Sequence, residues 1–156
     1  MQKEKLDRTD RAILNALQFD GRLSNVQLAA RVNLSESACL RRVKLLEEAG
    51  VIERYVMLVN QSAVGLPDNV FVEISLNREK QEDLEAFEDA VRRLPEVMEC
   101  FLMSGDYDYL LRVAVANTAD YERIHREQLT RLPGVVRVRS SFALRTVTRT
   151  TELPII

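Results

Sequence analysis

The chain has 156 residues, room for one medium domain or two small ones. It is 46% hydrophobic and 29% charged, a soluble globular composition. No apolar run approaches the ~20 residues that span a bilayer, and the polar opening MQKEKLDRTD predicts no secretory signal.

Net charge is −2 but uneven. Residues 1–60 hold ten Lys/Arg against eight Asp/Glu, and residues 61–156 hold twelve against sixteen.

The first predicted element is a helix from Asp7 to about Phe19, carrying Ile13, Leu14 and Leu17 toward a small core. Residues 24–52 then read as two short capped helices joined by a tight turn. Ser24 can cap orphan amides at the first start, and Gln27 three residues on completes a capping-box pattern. Val26, Leu28, Ala29 and Val32 make the predicted buried stripe of that helix. Asn33 suits the left-handed residue that ends it, and Leu34 points back into the core. Ser35 caps the second helix, which runs to about Ala49, and Gly50 supplies the stop. A strand, IERYVMLV, follows. The set is the outline of a winged helix-turn-helix, which lays its second helix in the major groove of double-stranded DNA.

The second helix has two predicted faces. Cys39, Val43 and Leu46 centre the buried stripe, with Ala38, Leu45 and Ala49 at its margin. Ser37, Arg41, Lys44 and Glu48 lie opposite. Arg41 falls in the half that a recognition helix presents to base edges, and its fork matches two acceptors of guanine. Arg42, nearer the buried edge, is expected to reach a phosphate or brace a neighbouring carboxylate. Ser24, Asn25, Ser35, Ser37, Ala38, Arg41, Arg42 and Lys44 are the candidate DNA contacts. The bland alternative is a helical hairpin with a solvated charged face. A module of net charge +2 binds DNA weakly at physiological salt, which points to several copies acting together.

NQSAVGLPDN, residues 60–69, breaks the pattern on either side. The expected organisation is a DNA-binding domain at 1–60, a linker at 61–69 and a second domain at 70–156. That second domain contains an internal repeat, RLPEV at 93–97 and RLPGV at 131–135. Each copy follows an amphipathic helix and precedes a strand. Leu84, Phe87, Ala90, Val91 and Leu94 mark the first helix; Tyr121, Ile124, Gln128, Leu129 and Leu132 mark the second. With flanking strands NVFVEISL, VMECFLMS, YDYLLRVAV and VVRVRSSFAL, the order is β-α-β-β-α-β. The expected class is therefore α+β, with a ferredoxin-like domain after the winged helix-turn-helix. Val70, Val72, Ile74 and Leu76 are expected under the helices. Phe71, Glu73 and Ser75 lie on the other face, which either meets water or a second copy of itself. A dimer would match two DNA half-sites about one helical turn apart.

The middle strands are joined by SGDYDY. Gly105 can take φ > 0 and turn successive N–H groups into a small anion nest. Ser104 offers a hydroxyl, Asp106 and Asp108 offer carboxylates, and Leu102, Met103 and Leu110 offer an apolar slot. A free amino acid needs such a set. Gly-Asp is also an ordinary hairpin turn that needs no ligand, and Asp-x-Asp is a weak metal pattern without a supporting histidine. Cys39 and Cys100 read as small buried thiols of a reducing compartment. His125 reads as an exposed surface residue. No nucleophile elbow, P-loop or zinc spacing points to an enzyme, so no catalytic, metal or cofactor-binding residue is proposed.

Taken together, LDRTDRAILNALQFDGRLSNVQLAARVNLSESACLRRVKLLEEAGVI, FVEISLNR, ECFLMSGDYDYLLRVAV, RLPGV and SSFAL resemble the leucine-responsive regulatory protein/AsnC (Lrp/AsnC) family of prokaryotic transcription regulators, over nearly the whole chain. The resemblance implies a winged helix-turn-helix and an amino-acid-sensing domain. It implies dimers paired through their sheets and assembled into octamers, with effector sites between dimers. It also implies a cytoplasmic, nucleoid-associated protein with no membrane partner. The recognition helix falls on Ser35–Ala49 and the effector loop on Ser104, Gly105, Asp106, Tyr107 and Asp108, with Ser140 and Ser141 completing the pocket. Leucine or methionine is favoured as effector by resemblance alone. The alternative is an architectural DNA-coating protein without small-molecule control. The tail TRTTELPII has no assigned role.

Overall fold

The computed structural model describes residues 6–77 and 80–156. It separates into two compact units, one up to Leu58 together with Val147–Ile156 and the other Val59–Thr146. The second domain expected at 70–156 therefore gives up its last ten residues to the first unit.

In the first unit α1 spans Arg8–Phe19, α2 Asn25–Arg31 and α3 Glu36–Glu48. Each starts where a side chain can satisfy an orphan amide. Asp7 and Asp10 close a reciprocal capping box, as do Ser24 and Gln27, while Ser35 accepts from the Ala38 amide. The turn between α2 and α3 uses Asn33 at φ 55°. There the Leu34 amide returns to the Ala29 carbonyl at 2.9 Å. After α3, Gly50 at φ 70° lets the Val51 and Ile52 amides fold back onto the Leu46 carbonyl. Ile13, Leu14, Ala16, Leu28, Ala29, Cys39 and Leu46 form the core, with Leu17, Val32, Leu34 and Val43 packed at its edge.

Three expectations fail here. Val26 is 56% exposed and Leu45 49% exposed, with Ala49 also at the surface. A seven-residue helix in a three-helix core buries only Leu28 and Ala29, a narrower stripe than periodicity suggests. The third failure is the strand IERYVMLV. Residues 53–60 carry no ladder bonds, and Met57 is 86% exposed. A strand needs a neighbour to satisfy its backbone groups, and among the described residues this segment pairs with none.

The predicted linker is a compact turn. The Asn60 side chain accepts from the Ala63 amide at 3.1 Å, and the Leu66 amide reaches the Gln61 carbonyl. The second unit then runs β1 (Asp68–Leu76), α4 (Gln81–Val91), β2 (Val97–Leu102), β3 (Tyr109–Val115), α5 (Thr118–Glu127), a short 3-10 turn at Leu129–Arg131, and β4 (Val135–Phe142). The strand order is β2-β3-β1-β4, all antiparallel. This is the ferredoxin-like arrangement expected from the sequence.

Val70, Val72, Ile74 and Leu76 are buried with Phe87 and Val91 of α4 and Tyr121 and Ile124 of α5. The alternation of β1 thus divides the sheet as predicted: a covered face, and an open face with Phe71, Glu73 and Ser75. The open face continues through Arg112, which pairs with Glu99 at 2.7 Å. Gly134, at φ 74°, ends the return from α5. Its carbonyl accepts from the Asn77 amide at 2.9 Å, and a Cβ there would lie 3.3 Å from Asn77 Oδ1.

Two smaller readings are corrected. Cys39 is buried, but Cys100 is exposed, because β2 is an edge strand. His125 is half-buried, its ring 6.0 Å from that of Tyr121.

Candidate DNA interface and effector loop

On α3 the polar face stands as expected. Ser37, Arg41, Lys44 and Glu48 are exposed, while the opposite side buries Cys39 and Leu46. Ala38 is half-buried at the margin. The hydroxyl of Ser35 is committed to the helix start, 3.3 Å from the Ala38 amide, and lies 3.3 Å from Ser37 Oγ. Ser24 is committed in the same way to the Gln27 amide.

The helix is held in place by two polar ties. Asn25 Nδ2 donates to the Glu36 carbonyl at 2.8 Å, joining the start of α2 to the start of α3. Arg42 Nη1 donates to Asp7 Oδ2 at 2.8 Å and Asp10 Oδ1 at 2.7 Å, joining α3 to the cap of α1. Of the two roles expected for Arg42, the structure shows the carboxylate brace. Its partners hold the guanidinium firmly charged, Asp10 first and then Asp7. The Asp7 carboxyl is lowered in turn, chiefly by the Asp10 amide and further by Arg42. The D-x-x-D spacing at residues 7–10 was the one sequence signal for this brace. Arg41 and Lys44, one turn apart, remain exposed cations of the candidate recognition face.

The candidate effector loop joins β2 to β3. The Met103 amide donates to the Asp108 carbonyl at 2.8 Å, and the Asp108 amide to the Ile74 carbonyl at 2.9 Å. Asp108 Oδ2 accepts from the Leu76 amide at 2.6 Å. Leu76 follows a register shift in the β1–β4 pairing, so the ladder leaves that amide to be satisfied by a side chain. Asp108 is thus a latch between the loop and β1. Ser104 and Asp106 are exposed and Tyr107 is half-buried.

Other parts of the expected pocket do not assemble within one copy. Gly105 is not among the glycines at positive φ, so the proposed nest does not form. Leu102 lies opposite Tyr109 and Leu110 opposite Phe101, so the two leucines point to opposite faces of the sheet and cannot share a slot; Met103 is 37% exposed at the strand end. Ser140 and Ser141 are likewise split by strand alternation. Ser140 bonds the Tyr121 hydroxyl on the covered side, while Ser141 pairs with Phe71 on the open side. Phe71 is five residues from Leu76, roughly 17 Å along the strand. No group of three or more His, Cys, Asp or Glu among the described residues is placed to hold a metal ion. No helix among them is long and apolar enough to cross a membrane.

Comparison with known proteins gives this arrangement its context. Residues 6–53 match a winged helix-turn-helix DNA-binding family, and residues 69–153 match the Lrp/AsnC ligand binding domain. The leucine-responsive regulatory proteins of Klebsiella pneumoniae and Escherichia coli K12 are each 46% identical over 150 residues, covering 96% of this chain and 92% of theirs. A Neisseria meningitidis transcriptional regulator in complex with L-methionine is 40% identical. It superposes with a TM-score of 0.91, covering 96% of this chain and 97% of its own. An AsnC family regulator of Agrobacterium tumefaciens gives 41% identity and the same TM-score over the same shares. The chain belongs to the Lrp/AsnC family of transcription regulators, which are DNA-binding proteins and not enzymes.

Proposed function

We propose that this protein regulates transcription by reading promoter DNA with the exposed face of α3, under control of a free amino acid bound at the Ser104–Asp108 loop. Ser37 and Arg41 lie toward the start of α3 and face base edges, with Lys44 a turn on at the phosphates. Ser24 and Ser35 hold helix N-termini whose amides suit phosphate oxygens. The observation that carries the reading is the division of labour between adjacent arginines. Arg42 is tied to Asp7 and Asp10, so Arg41 is presented from a braced helix.

The effector is a small amino acid of the methionine or leucine class. The L-methionine complex of the Neisseria relative supports this class. Because Ser141 and the loop lie far apart in one copy, the pocket is completed by a neighbouring copy. The open sheet face offers Phe71, Leu110 and the 53% exposed Phe101 for pairing. Two copies joined there would present paired α3 helices, and dimers would assemble further toward an octamer in the cytoplasm, bending A·T-rich DNA at the nucleoid. The effector works by binding one arrangement of copies better than another.

Two substitutions test the reading. Arg41→Ala is expected to weaken operator binding about tenfold and relax preference at one base position, as loss of a bidentate guanine contact would. Binding to a panel of operator variants measures both, and an unchanged base preference rejects Arg41 as a reader. Asp106→Ala is expected to abolish the response of DNA binding to L-methionine and L-leucine while basal DNA affinity stays within about twofold. A retained response rejects the loop as the site. A parent protein that ignores every amino acid favours constitutive DNA architecture.

A further inference from the structure

The segment after β4 has a structured place on the first unit. Gln18 uses its side-chain amide as a second backbone: Nε2 donates to the Leu153 carbonyl at 3.1 Å, and Oε1 accepts from the Leu153 amide at 2.7 Å. One turn earlier on the same face of α1, Asn15 Nδ2 donates to the Ile155 carbonyl at 3.2 Å. The Ile155 side chain packs against the three-helix core. Pro154 between them has no amide to satisfy. The Ile155 amide turns back to the Leu153 carbonyl at 2.9 Å, and the Glu152 amide is taken by Thr150 Oγ1 at 3.0 Å. Residues 150–156 therefore have a defined backbone, anchored by two amide side chains that α1 presents in register.

The route of the chain gives this anchor a mechanical meaning. DNA-reading and ligand-binding units are joined twice, once through residues 53–67 and once through residues 143–150. The second connection begins at β4, the strand carrying Ser140 and Ser141, and ends on the later half of α1. The early end of α1 carries Asp7 and Asp10, which grip Arg42 of α3. A helix of three turns is a stiff rod on this scale, about 12 Å from Asp10 to Gln18.

We propose that residues 151–156 are a strap through which the ligand-binding unit acts on the recognition helix, by way of α1 and the Arg42 brace. This rests on the effector-controlled function above. A displacement of β4 is passed to Leu153 and Ile155, from there to Gln18 and Asn15, and along α1 to Asp7, Asp10 and Arg42. The strap's hydrogen bonds to the helices go to Asn15 and Gln18 of α1, which places its role in coupling and not in DNA contact.

The experiment uses the full chain and two variants: one ending at residue 150, and Asn15→Ala combined with Gln18→Ala. Alanine favours helix at both positions, so the second variant keeps α1 folded. Operator affinity is measured with and without L-methionine and, separately, L-leucine, and binding of the same amino acids is measured directly by calorimetry. The parent is expected to show a coupling of at least fivefold between amino acid and operator. Both variants are expected to bind the amino acid as the parent does while that coupling falls to within about twofold of unity. Full coupling retained in both variants overturns the strap and leaves the functional reading standing. Loss of amino acid binding itself in the variants overturns it too, since the segment would then belong to the pocket. A parent with no response to either amino acid overturns the effector reading, and the strap with it.

Discussion

Phe87→Ala is expected to cost the ligand-binding unit about 3–5 kcal/mol, the range for removing a large buried aromatic side chain. Phe87 is fully buried, with its ring 4.4 Å from that of Tyr109 and tilted by 33°. It packs α4 against the sheet together with Val91. Tyr109 depends on this contact in a second way. Its hydroxyl donates to Glu88 Oε1 at 2.9 Å, and burial first, with Glu88 beside it, pushes the phenol well above its ordinary range. Removing the ring opposite it leaves a cavity beside a polar tie that must either move or admit water. A domain of this size is stable by only about 5–15 kcal/mol, so the loss is a large share of the total. Because the two units have separate cores, urea unfolding should show the transition of the second unit shifted and that of the DNA-binding unit nearly unmoved. Amino acid binding would fall with the folded fraction. A shift below about 1.5 kcal/mol would mean that the site collapses around the smaller residue.

The parts of this fold that were legible in the sequence are those written in local chemistry. Ser24, Ser35, Asn33 and Gly50 each solve a problem within four residues of themselves: an orphan amide, an orphan carbonyl, a positive φ. The strands of the second unit were legible for the same reason, since alternation at Val70–Leu76 needs only a two-residue period. What failed depended on distant partners. The strand expected at IERYVMLV has the right residues, but strand pairing is a relation between two segments, and no second segment pairs with it among the described residues. Ser140 and Ser141 are assigned together to the pocket by resemblance, yet neighbours in a strand point to opposite faces. Leu102 and Leu110 failed by the same geometry across a hairpin. Gly105 has the freedom to take positive φ but no structural demand for it, since the Asp108 contacts already close the turn. The tail was opaque because its partners, Asn15 and Gln18, lie some 135 to 140 residues earlier and have ordinary helical surroundings. The Arg42 brace was half legible: proximity to the buried edge suggested a carboxylate, and only the packed helices showed which.

Asp108→Ala is expected to have the larger effect of the two substitutions in the loop, although Asp106 is the more exposed carboxylate. Asp108 Oδ2 takes the Leu76 amide at 2.6 Å in a part-buried position, where the shifted β1–β4 register provides no backbone acceptor. Alanine leaves that donor without a partner, and a hydrogen bond to a charged group is worth about 1.5–3 kcal/mol. The Asp108 amide still reaches Ile74 and its carbonyl still receives Met103, so the hairpin should loosen and not detach. The expected result is a loss of about 2 kcal/mol in the second unit, together with at least tenfold weaker L-methionine binding, because a loop that must be ordered on binding draws that cost from affinity. Asp108→Asn keeps an oxygen acceptor at nearly the same place and should recover most of the stability. Asp106→Ala should leave stability unchanged and affect only the amino acid response. Urea unfolding and calorimetric titration of the three variants separate a latch from a ligand. If Asp108→Ala unfolds like the parent, the Leu76 amide has found another acceptor and the latch is not needed. If Asp108→Asn loses methionine binding while keeping full stability, then the carboxylate meets the amino acid directly and its bond to Leu76 is secondary.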